Sequence, residues 1–169
     1  HYAEMALELA EDYDDPFQRG LAIRNLGNAY ALVGNYREAV VNLHQALNIF
    51  ENLGDARRIG EVLVDLGKIN YDLAEYEEAF DYGRKFEELH DKEVNIGNQI
   101  TTPYEYAILM GMTAATARET GNYPVAILYF RKYKESSKEV QIPPLLHMVY
   151  MKSMAETFEF DGQFDSALK

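Results

Sequence analysis

The stretch LGNAYALVGNYREA at residues 26–39 recurs as LGKINYDLAEYEEA at residues 66–79. The two copies begin 40 residues apart and share the opening Leu-Gly pair and the closing Tyr-x-Glu-Ala. Two shorter copies follow, GNYPVA at residues 121–126 and GQFDSA at residues 162–167. Self-similarity at a fixed period of roughly 20 to 50 residues is typical of repeat architectures, in which each unit is one supersecondary element.

Each repeat unit is predicted to form two antiparallel helices. In the first full unit Ile23, Leu26, Tyr30 and Val33 recur with the period of a helix, and Gly34 then ends it. A second apolar series runs from residue 36 to residue 50. The helices are predicted at residues 1–12, 16–33, 36–52, 56–73, 76–91, 102–120, 123–138, 144–161 and from 164 onward.

Capping residues mark the predicted helix starts. Asp15 and Asp55 stand where a side-chain oxygen can accept from the free N–H groups of a first turn. Thr102 followed by Glu105 forms a capping box in sequence, and Pro144 suits the first position of a helix. Small residues recur at one position of each first helix and at one position of each second helix, where close approach of the two is expected: Gly27, Gly67, Ala114 and Ala155, facing Ala39, Ala79, Ala126 and Ala167.

The Leu-Gly-x-x-Tyr…Gly-x-Tyr-x-x-Ala pattern resembles the tetratricopeptide repeat family, in particular its subgroup with longer repeats of about 40 residues. The resemblance implies an all-α fold, a right-handed superhelical solenoid of antiparallel helix pairs. It implies about three full repeats flanked by partial ones, with the whole chain as a single array. The expected units are residues 1–14 (partial), 15–54, 55–101, 102–142 and 143–169 (partial).

The two ends of the chain carry no capping helix with a polar outer face, which repeat arrays usually have. We therefore expect a fragment of a longer protein, with possible self-association through the uncapped ends.

Charge and composition narrow the function. The chain has 28 acidic and 16 basic side chains, a net charge of −12, so binding to a phosphate backbone is disfavoured. It has no cysteine, which excludes disulfides and thiolate sites, and no apolar run near the roughly 18 residues of a membrane helix. We expect a cytoplasmic protein that acts neither on nucleic acid nor at a membrane.

The sequence offers no catalytic motif. His1, His44, His90 and His147 are not at metal-ligand spacings from one another, and no phosphate-binding glycine loop or nucleophile motif is present. Acidic pairs are expected on solvated helix faces or at caps. We therefore expect a protein that is not an enzyme and has no cofactor and no metal.

In tetratricopeptide arrays the first helix of each pair lines the concave surface, where a partner lies as an extended segment or a helix. The resemblance places three inward-facing positions on each first helix: Arg24, Asn28 and Ala31; Val64, Lys68 and Tyr71; Gly111, Ala115 and Arg118; Lys152, Glu156 and Glu159. Each helix thus offers one basic side chain. The predicted binding residues are Arg24, Asn28, Lys68, Tyr71, Met112, Arg118 and Lys152.

The expected ligand is a protein or peptide segment with acidic residues or a free carboxylate, held by charge-assisted hydrogen bonds. Gly111 and Ala115 are expected to leave a shallow space for a partner side chain. In the alternative interpretation the bases pair with neighbouring acids: Asp65, Asp72, Glu119 and Glu156.

The carboxylate-clamp subgroup of the family holds chaperone C-termini. Its first-helix lysine and asparagine correspond to Arg24 and Asn28, but its three other positions fall on Asp65, Ile108 and Met112. Because Asp65 repels a carboxylate, binding of a chaperone tail is not expected.

The leading functional hypothesis is a protein-binding scaffold module, part of a larger signalling or scaffolding protein. The alternatives are a regulatory sensor domain that binds a small peptide or metabolite and controls an attached effector domain, and a structural spacer. The unit containing residues 91–102 has a 47-residue spacing and is expected to hold a longer turn or a helix extension, with a role as a contact loop left open.

Overall fold

The computed structural model describes residues 15–160 and the isolated Met5. Within residues 15–160 the chain folds into seven α-helices and one short 3₁₀ turn, Ser137–Glu139. The predicted helices at 1–12 and from 164 onward lie outside these residues, apart from Met5, which is helical. The α-helices are α1 Pro16–Leu32, α2 Tyr36–Leu53, α3 Ala56–Asp72, α4 Tyr76–Asn95, α5 Pro103–Glu119, α6 Tyr123–Ser136 and α7 Pro144–Phe160.

The predicted caps begin the helices. The Asp15 carboxylate accepts hydrogen bonds from the N–H groups of Phe17 and Gln18, at 2.9 and 3.3 Å. At the start of α5 the Glu105 N–H donates to the Thr102 hydroxyl (3.2 Å) and the Thr102 N–H donates to the Glu105 carboxylate (2.9 Å), so the capping box is confirmed. These bonds satisfy N–H groups that a helix start otherwise leaves without partners.

Left-handed residues end the helices at equivalent points of the repeats. Gly34 and Gly121 have φ of 79° and 76° in the turns that follow α1 and α5. In the turn after α3 the same conformation falls on Ala74, whose φ is 60°. An L-residue with a Cβ carries a steric cost in this region, so this turn is strained where the other two are not.

The hairpins α1–α2, α3–α4 and α5–α6 stack in chain order, and α7 packs against α6 and α5. One buried cluster joins the first two hairpins through Leu43, Phe50 and Leu66, all fully buried. A second cluster joins the later helices around Met110 and Phe130. The predicted fold class, an all-α array of helices packed in pairs, is confirmed.

Two helix ends differ from prediction by more than one residue. α4 runs to Asn95, beyond the predicted end at residue 91, and residues 96–102 then connect it to α5. α6 ends at Ser136, two residues early, because the 3₁₀ turn takes over. Among the described helices, none combines the length and the apolar character that crossing a membrane requires.

Candidate functional site

Ion pairs join the first helices of neighbouring units in two places, α1 to α3 and α5 to α7. The Arg24 guanidinium of α1 donates to Asp65 of α3 at 2.8 Å, and Arg118 of α5 donates to Glu156 of α7 at 2.8 Å. We call the surface that carries these pairs the first-helix face. It holds the positions at which the sequence predicted a binding site.

Between α1 and α3 two predicted site residues meet at one carboxylate. Asp65 accepts from Arg24 and, at 3.0 Å, from the side-chain amide of Asn28. Arg24 also pairs with Glu61, which accepts from Arg58 of its own helix. Arg24, Asp65 and Glu61 are mostly buried side chains. Arg24 and Asn28 therefore hold two helices together, and their donors face protein acceptors.

Lys68 lies in different surroundings. Its side chain is exposed and makes no ion pair with any residue that the structure describes. It lines a cleft of about 290 Å³ between α1 and α3, together with Asn28, Tyr36 and Asp72. Leu32, at the rim of this cleft, is 89% exposed. The cleft thus presents an ammonium group, an amide, the carboxylates of Asp65 and Asp72 and an apolar rim.

At the α5–α7 end Arg118 is held by two acids. It donates to Glu119 at 2.6 Å and to Glu156 at 2.8 Å. Burial alone lowers the pKa of Arg118, but the hydrogen bonds and charges of Glu119 and Glu156 outweigh it and raise the pKa. The Lys152 ammonium lies 3.7 Å from the Glu156 carboxylate, and its side chain is 76% exposed, so the ammonium remains accessible to a ligand.

Tyr71 of α3 is half-buried on the first-helix face, where the charges of Arg118 and Glu119 of α5 act on it. Its ring meets that of Tyr76 edge-on, with centroids 5.5 Å apart. Burial raises the pKa of Tyr71, and the negative charge of Glu119 adds to the shift, so the hydroxyl stays protonated and can donate. Its half-exposed ring offers an apolar surface with a polar tip.

Met112 is half-buried and packs against the second buried cluster. Its methyl carbon lies 3.4 Å from the place that a Cβ on Gly67 would occupy, so it fills the space between α5 and α3.

The prediction that Gly111 and Ala115 leave a shallow space for a partner side chain is wrong. Both residues are buried, and the Tyr150 ring of α7 lies within 2.8 Å of a Cβ position on Gly111, where it occupies the room for a partner side chain.

The charges of the face are mostly paired within the chain. The alternative in which neighbouring acids pair with the bases is what the structure has at Arg24, Arg118 and Lys152, but not at Lys68. Sequence reasoning missed the role of Glu61 altogether. Its position four residues before Asp65 put both carboxylates on the same side of α3, a spacing that would have indicated a shared arginine.

Elsewhere the structure gives the histidines structural neighbours. His44 of α2 shares a hydrogen bond with the Tyr82 hydroxyl of α4 (3.2 Å). His147 shares one with the Tyr133 hydroxyl at 2.8 Å. Over residues 15–160 no group of three or more His, Asp or Glu side chains is arranged to hold a metal ion.

With this geometry in place, comparison with protein families gives a match over residues 18–92, to a model described as tetratricopeptide repeat. Residues 18–92 are thus similar to tetratricopeptide repeats. Such repeats are generally protein–protein interaction modules and are typically non-catalytic. No match is found among curated proteins.

Among solved structures, the array is similar to the N-terminal domain of stress-induced protein-1 from C. elegans, with a TM-score of 0.62 and 14% identity. The match covers 82% of this chain and 97% of the other. At this identity the likeness concerns the fold alone, and it extends the tetratricopeptide-type packing past residue 92.

Proposed function

We propose that this tetratricopeptide array is a scaffold module that holds a segment of another protein on its first-helix face, as part of a larger signalling or scaffolding protein. The observation that carries the proposal is the cleft between α1 and α3, where the Lys68 ammonium has no ion-pair partner among the described residues. An exposed charge beside the exposed Leu32 gives a partner both a polar and an apolar contact.

The proposed partner group is a carboxylate, from an acidic side chain or a chain end. The cleft also holds Asp65 and Asp72, but Asp65 is paired with Arg24, which offsets its repulsion of a partner carboxylate. Lys68 and the loosely paired Lys152 are the cations that can reach it, since Arg24 and Arg118 already hold two carboxylates each. Tyr71 supplies a further donor, whereas the Asn28 amide already donates to Asp65. A hydrogen bond to a charged group contributes about 1.5–3 kcal/mol, which is roughly a tenfold to hundredfold change in affinity.

The choice of variants depends on which basic residues bridge helices and which are available to a ligand. Charge reversal at Arg24 or Arg118 would break the ion pairs between helices. A loss of binding could then not be distinguished from a loss of folding. We therefore choose Lys68→Glu with Lys152→Glu, and as a matched control Lys85→Glu with Lys92→Glu on α4. All four lysines are exposed, and the two double variants have the same net charge.

A partner is first captured from native extract with the 169-residue chain, and its dissociation constant is then measured with both variants by titration calorimetry. We expect at least about a tenfold weaker affinity for the variant at 68 and 152, and less than about a threefold change for the control. Equal affinities of the two variants, with helicity unchanged in both, would place the binding site away from the first-helix face.

A further inference from the structure

The longest repeat unit of the array contains a second cleft, which the first-helix face does not include. It lies where α4 continues to Asn95, residues 96–102 turn back, and α5 begins. The cleft measures about 430 Å³, within the range of roughly 300–1,000 Å³ typical of small-molecule sites. We call it the insertion cleft. It is lined by His90, Val94, Gln99, Thr101, Tyr106 and Ser136, among others.

The connecting segment is tied to the helices on both of its sides. The Asn98 amide donates to the Glu93 carboxylate at 2.9 Å, and the Asn98 N–H donates to the Glu93 carbonyl at 2.9 Å. Ile100 is buried, and the Thr101 hydroxyl donates to Glu105 at 3.2 Å. A wall fixed in this way is formed before a ligand arrives, which lowers the entropic cost of binding.

The aromatic lining of the cleft carries no positive charge at neutral pH. The ring centroids of His90 and Tyr106 lie 4.5 Å apart, and the Phe86 ring stacks on His90 with a centroid distance of 6.0 Å. Burial lowers the pKa of His90, so its imidazole is neutral at pH 7. The buried Nδ1 atom of His90 has no hydrogen-bond partner in the described part of the chain. Burial raises the pKa of Tyr106 to about 12, so its phenol is neutral too.

Acidic side chains stand near the lining residues in the chain, although none of them lines the cleft itself. Asp91, Glu93 and Glu105 belong to the segments that form the cleft, and within residues 15–160 none of them is in an ion pair. The charges of Asp91 and Glu87 act on both His90 and Tyr106. Glu87 is paired with Lys132, and the positive charge of Arg57 acts on Glu105. The lining of the cleft is therefore uncharged, and the negative charges of Asp91 and Glu87 act on its two aromatic residues.

We propose that the insertion cleft binds an organic cation carried on an apolar stem or ring, an alkylammonium or a guanidinium. The apolar part lies against Val94 and Tyr106, and the charge is stabilised by Asp91 and by the aromatic ring faces, to which cations are attracted. The same chemistry is available from a free small amine or from a lysine or arginine side chain of a bound protein.

The test is a series of titrations of the ¹⁵N-labelled chain, followed by the amide resonances of residues 90–106. Tryptamine, indole-3-ethanol and indole-3-propionate present one ring system with a positive, a zero and a negative charge. Blocked arginine and lysine amides form the second arm. We expect saturable shifts, with the affinity decreasing from the cationic to the neutral to the anionic ring. Tighter binding of tryptamine indicates a free amine as the natural ligand, and tighter binding of a blocked amide indicates a protein side chain. Binding of the neutral or anionic ring at least as tightly as the cation, or no saturable shift with any probe, overturns the proposal.

A pair of matched variants adds a test in the chain itself. Val94→Arg places a cation at the mouth of the cleft, whereas Ile96→Arg adds the same charge two residues away, outside the lining. Both side chains are exposed, at 51% and 67%, so both variants are expected to fold. We expect Val94→Arg to weaken cation binding about tenfold and Ile96→Arg less than about threefold. An equal loss of affinity in both variants would mean that the net charge of the chain, and not binding in the cleft, causes the resonance shifts. Since neither variant touches the first-helix face, this outcome is independent of the proposed scaffold function.

Discussion

Replacing Gly27 and Gly67 by alanine is predicted to have opposite effects on stability, although the two glycines occupy the same position of the repeat. A Cβ on Gly27 would lie 2.9 Å from Leu43 Cγ and 3.1 Å from the Ala39 carbonyl oxygen. A Cβ on Gly67 would lie 3.4 Å from the methyl end of Met112 and 3.6 Å from Tyr82 Cβ, which is ordinary contact for a flexible neighbour. The first hairpin is therefore packed more tightly than the second.

The magnitudes follow from two opposing contributions. Alanine in place of glycine inside a helix stabilises by about 0.8–1.0 kcal/mol at either position. At position 67 little opposes it, so Gly67→Ala is expected to raise the free energy of unfolding by up to about 1 kcal/mol. At position 27 overpacking against the fully buried Leu43 costs roughly 1–3 kcal/mol, so Gly27→Ala is expected to be destabilising by up to about 2 kcal/mol.

The assay is urea unfolding of the 169-residue chain, followed by the circular dichroism of the helices. For a chain of this size 1 kcal/mol corresponds to a shift in melting temperature of about 2–4 °C, so thermal unfolding provides a second measurement. Equal stability changes for Gly27→Ala and Gly67→Ala, in either direction, would refute the reasoning, because the difference in packing between the hairpins would then carry no energy.

Three further changes test the packing, the turns and the caps. Leu66→Ala is expected to cost about 3–5 kcal/mol because Leu66 is fully buried, and Leu32→Ala less than about 0.5 kcal/mol because Leu32 is 89% exposed; similar urea midpoints would contradict the assigned core. Ala74→Gly is expected to stabilise by about 1 kcal/mol in the same assay, since it removes an L-residue at φ 60°, and a loss of stability would mean that the turn is not strained. Glu105→Ala is expected to cost about 1 kcal/mol at pH 7. The Thr102 N–H lowers the pKa of Glu105 in the fold, so the contribution is complete above the unfolded-state pKa and is lost as the pH falls through the folded-state pKa; a deficit that persists unchanged at low pH would exclude the capping role.

Much of the fold could be predicted because glycine, proline and capping residues mark the ends of the helices. The start of α2 at Tyr36 and the capping box at Thr102 follow directly from local chemistry. The sequence indicates a longer turn or a helix extension after α4 but places the end of this helix too early. The chain has no helix-ending glycine between Gly83 and Gly97, and the helix continues until Gly97 takes a φ of 85°. A helix of this kind ends where a suitable residue occurs, not where the repeat period places it.

The positions of the site residues could be predicted, but their partners could not. Repeat register put Arg24, Lys68 and Arg118 on first helices. Whether each base is available depends on acids located about 40 residues away in the chain, and on the rotamers that bring the side chains together. Register alone also could not show that the Tyr150 ring would fill the space left by Gly111. A glycine in a repeat is equally compatible with an open space and with a closely packed neighbour.

The proposed binding on the first-helix face is tested most directly by photo-crosslinking. Benzoylphenylalanine replaces Tyr71 on α3 or, as a control, the similarly half-buried Tyr82 on α4, whose hydroxyl faces His44. Each chain is irradiated with the partner isolated by affinity capture, and the adducts are mapped by mass spectrometry. We predict a specific adduct from position 71 and none from position 82. An adduct from position 82 alone, or equal yields from both, would contradict binding on the first-helix face.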